Sequence, residues 1–297
     1  MQRLALVLLL TLIPLFLTAQ SNRWRSMRYE AIFGVGASNF LGELGGADQV
    51  GTDFYRDLEI SQTRPAAAVG LRYYLSNRTA LRAMFTYAIL TGDDATTNEF
   101  YREYRNLNFK TNIFELSTVF EYMFLAERIG ARYNLKGVKG LRGYNIAFYG
   151  FAGVGVFKFN PKGELDGEWH ELQPLGTEGQ GVIPTREKYD LIQLNIPVGL
   201  GFKYALDRRW SIGIEYGVRK TFTDYIDDVS RSYVESTLLL QNGPLAVALA
   251  DKSNGDFPQN TAPGAQRGDP TDKDSYLFAI FNINYKLRSG NSRLPVF

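Results

Sequence analysis

The sequence predicts an all-β fold, an eight-stranded antiparallel up-and-down transmembrane β-barrel with long extracellular loops. Segments that alternate apolar and polar residues recur along the chain and exceed ten residues, longer than a usual globular strand. Short and long connections alternate between these segments, as they do in outer-membrane barrels. The chain of 297 residues also carries 18 Tyr and 20 Phe. Several of these rings lie near strand ends, where a membrane interface favours them.

The N-terminus has the pattern of a secretory signal peptide. Met1 and Arg3 precede an apolar run from Leu4 to Leu17, and small residues follow, ending at Ala19. Such a run rises about 21 Å as a helix, which is shorter than the hydrocarbon core of about 30 Å. We therefore expect residues 1–19 to be a cleaved leader and residues 20–297 to form the barrel domain.

Eight strands account for the alternating segments. In the clearest one, Ile196 and Leu200 lie on an apolar face, and Gly199 and Lys203 lie on the opposite face. Pro197 lies inside this strand and cannot donate a ladder hydrogen bond, so we expect a β-bulge there. The fifth strand is apolar on both faces and cannot be oriented. The predicted strands cover residues 29–40, 64–75, 79–90, 109–124, 144–159, 189–205, 210–222 and 275–287.

The connections assign the two ends of the barrel. Tight links at 76–77 and 206–208 are expected on the periplasmic side, together with a medium link at 125–143 and both termini. The long links belong outside. This arrangement predicts a location in the outer membrane of a Gram-negative bacterium, in contact with outer-membrane lipids. The predicted extracellular loops lie near residues 41–63, 91–108, 160–188 and 223–274.

A soluble sandwich or lipocalin-type barrel would also alternate. Its polar face would carry more Lys and Glu than this chain shows, because that face would meet water. Here the polar faces are rich in Gly with isolated charges, which suits a narrow lumen.

With eight strands the interior of the barrel is just wide enough for side chains, so we prefer a lumen filled by a network of ion pairs over an open pore. The expected members are Arg64, Arg72, Arg82, Glu115, Glu121, Lys203, Glu215 and Arg219.

Composition argues against most catalytic chemistry. The chain has no Cys and one His, which excludes thiol catalysis and sites rich in Cys or His. Lys plus Arg number 33 against 31 Asp plus Glu, so no basic field favours nucleic acid. The glycines at Gly34 and Gly36 lack the remainder of a dinucleotide fingerprint, and the only histidine, His170, is expected to be solvated on a loop. We predict no enzyme activity and no cofactor.

Acidic residues near strand ends could provide hard oxygen ligands for calcium. Asp224, Asp227 and Asp228 form one group, and Asp93 with Asp94 forms another. Neither group has the ligand spacing of a known calcium loop. A solvated or Arg-paired turn is therefore preferred, and no metal site is predicted.

Three motifs carry a resemblance to a known family. Residues 36–45 read GASNFLGELG, residues 90–94 read LTGDD and residues 219–228 read RKTFTDYIDD. Together they resemble the PorG-like outer-membrane barrels of Bacteroidota. The resemblance implies an eight-stranded barrel that accompanies the type IX secretion machinery, where PorG is associated with the periplasmic lipoprotein ring of PorK and PorN. It favours a non-enzymatic accessory barrel that anchors such a ring. The alternative is a stand-alone surface barrel that binds an external ligand or envelope component through its loops.

The medium link is the candidate dock for a ring subunit. It is basic and carries a single acid, Glu127. Its cations could instead contact anionic headgroups as a solvated turn. The predicted partner-binding residues are Arg128, Arg132, Lys136, Lys139 and Arg142.

Overall fold

Eight strands close into an antiparallel barrel, as predicted. The computed structural model describes residues 27–44, 60–96, 99–127 and 145–287. Each barrel strand pairs with its neighbours in chain order, and the pairing of the first with the last strand completes the ring. The barrel strands are β1 (Tyr29–Leu41), β2 (Arg64–Tyr74), β3 (Thr79–Asp93), β4 (Asn108–Leu125), β5 (Ile146–Lys158), β8 (Ile192–Ala205), β9 (Trp210–Thr221) and β10 (Ser275–Leu287).

The barrel has two unlike ends. The turn end holds the links 75–78 and 206–209 together with the start of β1 and the end of β10. The loop end holds the longer links, which contain secondary structure of their own. That structure comprises a hairpin of β6 (Lys162–Leu165) and β7 (Glu168–Glu171), and the helices α1 (Phe100–Arg105), α2 (Ser236–Leu239) and α3 (Pro244–Ala250).

The hairpin lies in the link predicted as a loop at 160–188. Its strands are too short for alternation to predict them. The predicted leader, residues 1–19, lies outside the described residues.

Period-two alternation sorts side chains between the lumen and the outer surface. In β4, Leu116 and Phe120 are exposed on the outside, whereas Glu115 and Glu121 are fully buried inside. The same pattern continues around the barrel, so its outer surface is mainly apolar. Among the described residues, no helix combines the length and apolar character needed to cross a membrane.

Aromatic residues ring the outer surface at the turn end. Tyr29 packs against Tyr73 with ring centroids 5.0 Å apart, and Trp210 packs against Tyr285 at 4.6 Å. Phe124 of β4 packs against Tyr122 of the same strand and against Phe148 of β5. Such a belt is typical of the interface between hydrocarbon and headgroups.

The structure orients β5, which the sequence pattern did not. Tyr149 and Phe151 project into the lumen, while Phe148 and Val154 are exposed outside. Glycines on the neighbouring strands make room for the inward rings. A Cβ atom on Gly201 would collide with the ring of Tyr149, and one on Gly199 would collide with the ring of Phe151.

The predicted bulge at Pro197 is wrong. Pro197 pairs with Arg219 of β9 in an unbroken register. On the β5 side, pairing stops after Val198 and resumes at Asn195 with the register unchanged, so no extra residue is inserted. The missing N–H of proline is therefore met by a local gap in the ladder. A register shift occurs instead in β4, between Met123 and Leu125.

We predict that Leu200→Arg lowers the free energy of unfolding in lipid vesicles by about 2–4 kcal/mol, because it places a charge in the apolar belt. Leu200 is 51% exposed on the outer face of β8. Leu206→Arg is the matched control, since Leu206 is 54% exposed but lies in a turn-end link. A denaturant titration in vesicles measures both. Equal stability of the two variants would contradict the lipid-facing assignment.

Candidate functional site

Arg72 is the centre of a buried charge network in the lumen. Its guanidinium pairs with Glu30 of β1, and its Nε lies 2.6 Å from Glu121 Oε2. Its Nη2 also donates to the hydroxyl of Tyr149 at 3.1 Å. Arg72, Glu30 and Glu121 have no exposed side-chain surface. The β-ladder brings these side chains from separate strands into one layer.

A second arginine extends this layer across the barrel. Arg82 Nε lies 2.6 Å from Glu121 Oε1, and Arg82 Nη1 lies 2.5 Å from Glu215 Oε2. The guanidinium also stands over the ring of Phe151, 4.9 Å from its centroid. Tyr149 donates to the other oxygen of Glu215 at 2.6 Å. Arg72 Nη2 also lies 3.6 Å from Glu215 Oε1, so each of the two arginines contacts both glutamates and the ion pairs form a closed ring.

The network continues to the turn end. Lys203 Nζ lies 3.0 Å from Glu30 Oε2 and 3.5 Å from Glu127 Oε2. Lys286 also pairs with Glu127. Four cations therefore meet four carboxylates, Arg72, Arg82, Lys203 and Lys286 against Glu30, Glu121, Glu127 and Glu215. The formal charge of this set is balanced.

A smaller polar group lies nearer the loop end. Arg219 Nε is 3.5 Å from Glu115 Oε2, and its guanidinium stands 4.3 Å from the ring centroid of Phe278. Tyr276 donates to the same Glu115 oxygen at 2.8 Å, and Asn195 Nδ2 donates to it at 2.9 Å. This group extends the pairing of inward charges beyond the central layer.

The structure places seven of the eight predicted lumen charges inside the barrel, and Arg64 is the exception. Arg64 lies at the loop-end rim and donates to the backbone oxygens of Ser61 and Thr63. Its assignment to the network is wrong, because β2 begins at this residue and the side chain turns to its own loop. The sequence pattern missed Glu30, Glu127 and Lys286. Polarity at an inward position on the first and last strands would have indicated two of them.

Side chains fill the lumen on both sides of the charged layer. The loop-end half is a buried apolar cluster that includes Phe40, Phe109, Phe157, Phe159 and Phe278. A cavity of about 20 Å³ remains beside Arg82, which is enough for roughly one water molecule. The described residues therefore plug the barrel.

We predict that Arg72→Met destabilises the barrel by about 3–5 kcal/mol, since it leaves buried carboxylates without their partner. Arg64→Met removes the same kind of side chain outside the network and is the control. Unfolding by guanidinium chloride in lipid vesicles would measure the stability of both variants. A loss at Arg72 no larger than that at Arg64 would refute the structural importance of this pairing.

Four loops meet at the loop end and form a cap, defined here as the buried polar groups of residues 43–44, 94–107, 177–189 and 224–274. Arg105 donates through Nε to Asp94 Oδ2 at 2.7 Å and through Nη1 to the Arg267 carbonyl oxygen at 2.5 Å. Its Nη2 donates to the Glu43 carbonyl oxygen at 3.2 Å. One side chain therefore links three of the four loops.

The third loop is joined to the fourth through Glu178. Its Oε1 accepts from the backbone N–H of Ser230 at 3.0 Å and from Arg267 Nη1 at 3.1 Å. Asp228 accepts from the hydroxyls of Thr177 and Tyr189. All of these groups are buried, so the cap is a packed unit.

Three carboxylates of the cap lie together. One oxygen each of Glu43, Asp227 and Asp274 can be chosen so that all lie within 4.8 Å of one another. Burial, together with repulsion from Asp227 and Asp224, raises the pKa of Glu43 to about 9. Burial raises the pKa of Asp227 to about 8, although Arg105 opposes the shift. Burial and repulsion from Asp227 and Glu43 hold the pKa of Asp274 well above its usual range.

The turn that contains Asp224, Asp227 and Asp228 is buried, so the prediction that it is solvated is wrong. Asp224, Asp227 and Asp228 are at most 2% exposed, because the fourth loop folds over the barrel mouth. The alternative prediction, an acidic residue paired with an arginine, holds for Asp94, which forms a salt bridge with Arg105. The sequence could not indicate that Asp227 meets Glu43 and Asp274, since these residues lie far apart in the chain.

We predict that the cap loses stability as pH rises from about 6 to 9 in EDTA. The raised pKa values of Glu43 (about 9) and Asp227 (about 8) mean that the folded cap keeps protons that the unfolded chain releases. The stabilisation that these two protonated groups provide is complete below about pH 4, and it is lost as the pH rises through their pKa values in the folded state. Hydrogen exchange of cap amides, corrected for intrinsic rates, measures the effect. Glu43→Gln should flatten the profile, and a flat wild-type profile would contradict the prediction.

The predicted partner-binding residues Arg128, Arg132, Lys136, Lys139 and Arg142 lie outside the described residues. His170 lies in β7 and is partly exposed, opposite Gly163 of β6.

Comparisons with known proteins give a family and a set of distant structures. Residues 6–168, more than half of the chain, match the family described as "Domain of unknown function (DUF6089)". No curated protein matches the chain.

Solved structures of outer-membrane proteins show a distant likeness. Neisserial surface protein A (NspA) is 10% identical with a TM-score of 0.37, covering 87% of this chain and 96% of its own. Ail, the attachment invasion locus protein of Yersinia pestis, is 9% identical with a TM-score of 0.36, covering 88% and 100%. The outer membrane enzyme PagL is 12% identical with a TM-score of 0.31, covering 87% and 99%. At such TM-scores these likenesses carry no argument about the role of this chain.

Proposed function

The chain belongs to the DUF6089 family, and we propose that this member is a non-enzymatic outer-membrane barrel that accompanies the type IX secretion machinery. In this role it anchors or positions a periplasmic lipoprotein ring of the PorK and PorN kind. The plugged lumen is the observation that supports a role in anchoring rather than in the passage of solutes. Its central and turn-end layers pair four cations with four carboxylates. A water-filled pathway would leave polar groups for a solute to contact, and here those groups are used in ion pairs.

The outer surface supports a membrane location. Outward side chains such as Phe114, Ile196, Leu200 and Ile214 are at least 40% exposed, which would be unfavourable in water over so large a patch. The aromatic belt at the turn end fits a headgroup interface. A cleaved leader at residues 1–19 would deliver the chain to the periplasm and then to the outer membrane.

The basic link at the turn end supports a periplasmic partner. Glu127, the one acid at its start, faces the lumen and pairs with Lys203 and Lys286. The five cations from Arg128 to Arg142 therefore have no acid within their own link to neutralise them. A run of cations with no acid beside it in the sequence can steer association with a surface of opposite sign. A ring subunit with an acidic face has the chemistry to bind it.

The family resemblance rests on residues that meet in the cap. The backbone N–H of Leu44, in the first motif, donates to Asp227 of the third motif at 3.1 Å. Asp94, in the second motif, binds Arg105, which donates to the carbonyl oxygen of Glu43. The three motifs therefore build one structural element, which supports treating them as a single feature of the PorG-like barrels.

A second candidate function uses the loop end. Phe100, Tyr101 and Phe257 form an exposed aromatic group, with the Phe100 and Phe257 ring centroids 5.2 Å apart. An exposed apolar group on a packed support is typical of a binding surface. This observation favours a stand-alone surface barrel that binds an external ligand or an envelope component.

We predict that replacing Arg128, Arg132, Lys136, Lys139 and Arg142 with Ser weakens association with periplasmic ring subunits and makes it less sensitive to salt. Barrel assembly should be unchanged, because the link lies outside the strands. Co-purification from gently solubilised outer membranes, at low and high salt, measures the association. Heat-modifiable gel migration measures the assembly.

The control removes the same number of cations from exposed positions at the loop end. It replaces Lys110, Lys158, Lys188, Lys220 and Arg231 with Ser. This control should keep the periplasmic subunits. If the turn-end variant retains them as fully as the control does, the anchoring role is wrong and the surface-barrel candidate replaces it.

A further inference from the structure

We propose that Glu43, Asp227 and Asp274 form a binding site for one Ca²⁺ ion at the loop end of the barrel. The site is independent of the proposed secretion role. Glu43 follows β1, Asp227 follows β9 and Asp274 precedes β10, so a bound ion would fasten the first loop to both ends of the last.

Backbone amides orient all three carboxylates. Asp227 accepts from Leu44 N–H at 3.1 Å and from Val229 N–H at 2.9 Å. Asp274 Oδ2 accepts from Ile226 N–H at 2.8 Å, and Glu43 Oε1 accepts from Asp269 N–H at 2.8 Å. Outer contacts of this kind hold metal ligands in place before the ion arrives.

Two of the remaining carboxylate oxygens are free to bind a cation. Asp274 is only 2% exposed, and its Oδ1 atom is buried without a hydrogen-bond partner among the described residues. Glu43 is only partly buried, but its Oε2 atom is buried and also has no hydrogen-bond partner among the described residues. Asp274 Oδ1 approaches Gly42, the neighbour of Glu43, so closely that a Cβ atom there would collide with it. This unpartnered oxygen is therefore directed toward the Glu43 side of the cluster.

Among the described residues, no side-chain cation forms a salt bridge with Glu43, Asp227 or Asp274. Two other buried carboxylates of the cap, Asp94 and Glu178, pair with Arg105 and Arg267. Arg105, the cation that acts on Asp227, is bound to Asp94. Asp224 adds a fourth negative group that acts on all three. Buried carboxylates without a cation are unfavourable, and a divalent ion would compensate them.

The ligand set fits calcium better than magnesium. Ca²⁺ binds oxygen at about 2.3–2.6 Å, so ligands on opposite sides of the ion lie up to about 5 Å apart. The chosen oxygens lie within 4.8 Å of one another. Mg²⁺ usually keeps several waters and binds only one or two carboxylates, so a buried set of three carboxylates suits it less.

Titration calorimetry on the full mature barrel in detergent tests the site. The protein is stripped with EDTA and titrated at pH 7.5 with CaCl₂ or with MgCl₂. We expect one Ca²⁺ per chain and binding of Mg²⁺ at least tenfold weaker. Asp274→Asn should weaken Ca²⁺ binding at least tenfold. Glu43→Gln is a second variant in case the first does not fold, which heat-modifiable gel migration reports.

Asp272→Asn is the matched control, because Asp272 lies two residues away and its side chain is 72% exposed. It should bind Ca²⁺ as the wild type does. Hydrogen exchange adds a second readout. Ca²⁺ should slow exchange of cap amides in the wild type and in the control, and Asp274→Asn should abolish this response. Absence of Ca²⁺ binding to the wild type up to 10 mM, or equal binding by Asp274→Asn and Glu43→Gln, would overturn the proposal.

Discussion

The pairing of buried charge inside a closed barrel is the constraint on which the structure depends. Closure leaves no strand edge, but it forces every second side chain of each strand into a narrow interior. A charge in such a place is stable only when opposite charges and hydrogen bonds surround it. Arg72 satisfies this requirement by contacting carboxylates from β1, β4 and β9. Because these partners come from across the ring, the network specifies how far each strand can shift against the next.

Packing in the lumen follows from the same restriction on space. Large rings from β5 occupy the volume that glycines on β8 and β9 leave open, as Phe151 does beside Gly199 and Gly217. These rings also face the guanidinium groups, so one side chain fills space and contacts a cation. A substitution that adds volume at one of the glycines therefore affects both the packing and the charges.

The sequence predicted the barrel well because alternation is a local property. Each strand shows its two faces within ten or so residues, and most inward charges, Arg72 and Glu215 among them, follow directly. Arg64 has the right parity but lies at a strand end, where the backbone no longer dictates direction. The cap was beyond prediction for a different reason. Glu43 and Asp227 meet because closure of the barrel brings β1 beside β10 and β9, although the two residues lie far apart in the sequence, and no local pattern reports such a contact.

The plugged lumen has a consequence for how the two ends can act. A signal passing through the interior would have to rearrange ion pairs that are buried and mutually dependent, which is energetically unfavourable. The buried cap and the basic link at the turn end are therefore best regarded as separate parts of one barrel. Glu127 belongs to the barrel, since its carboxylate is held by Lys203 and Lys286. That contact fixes the point at which the basic link leaves the barrel, so a partner bound to the link would be held at a defined position relative to the membrane.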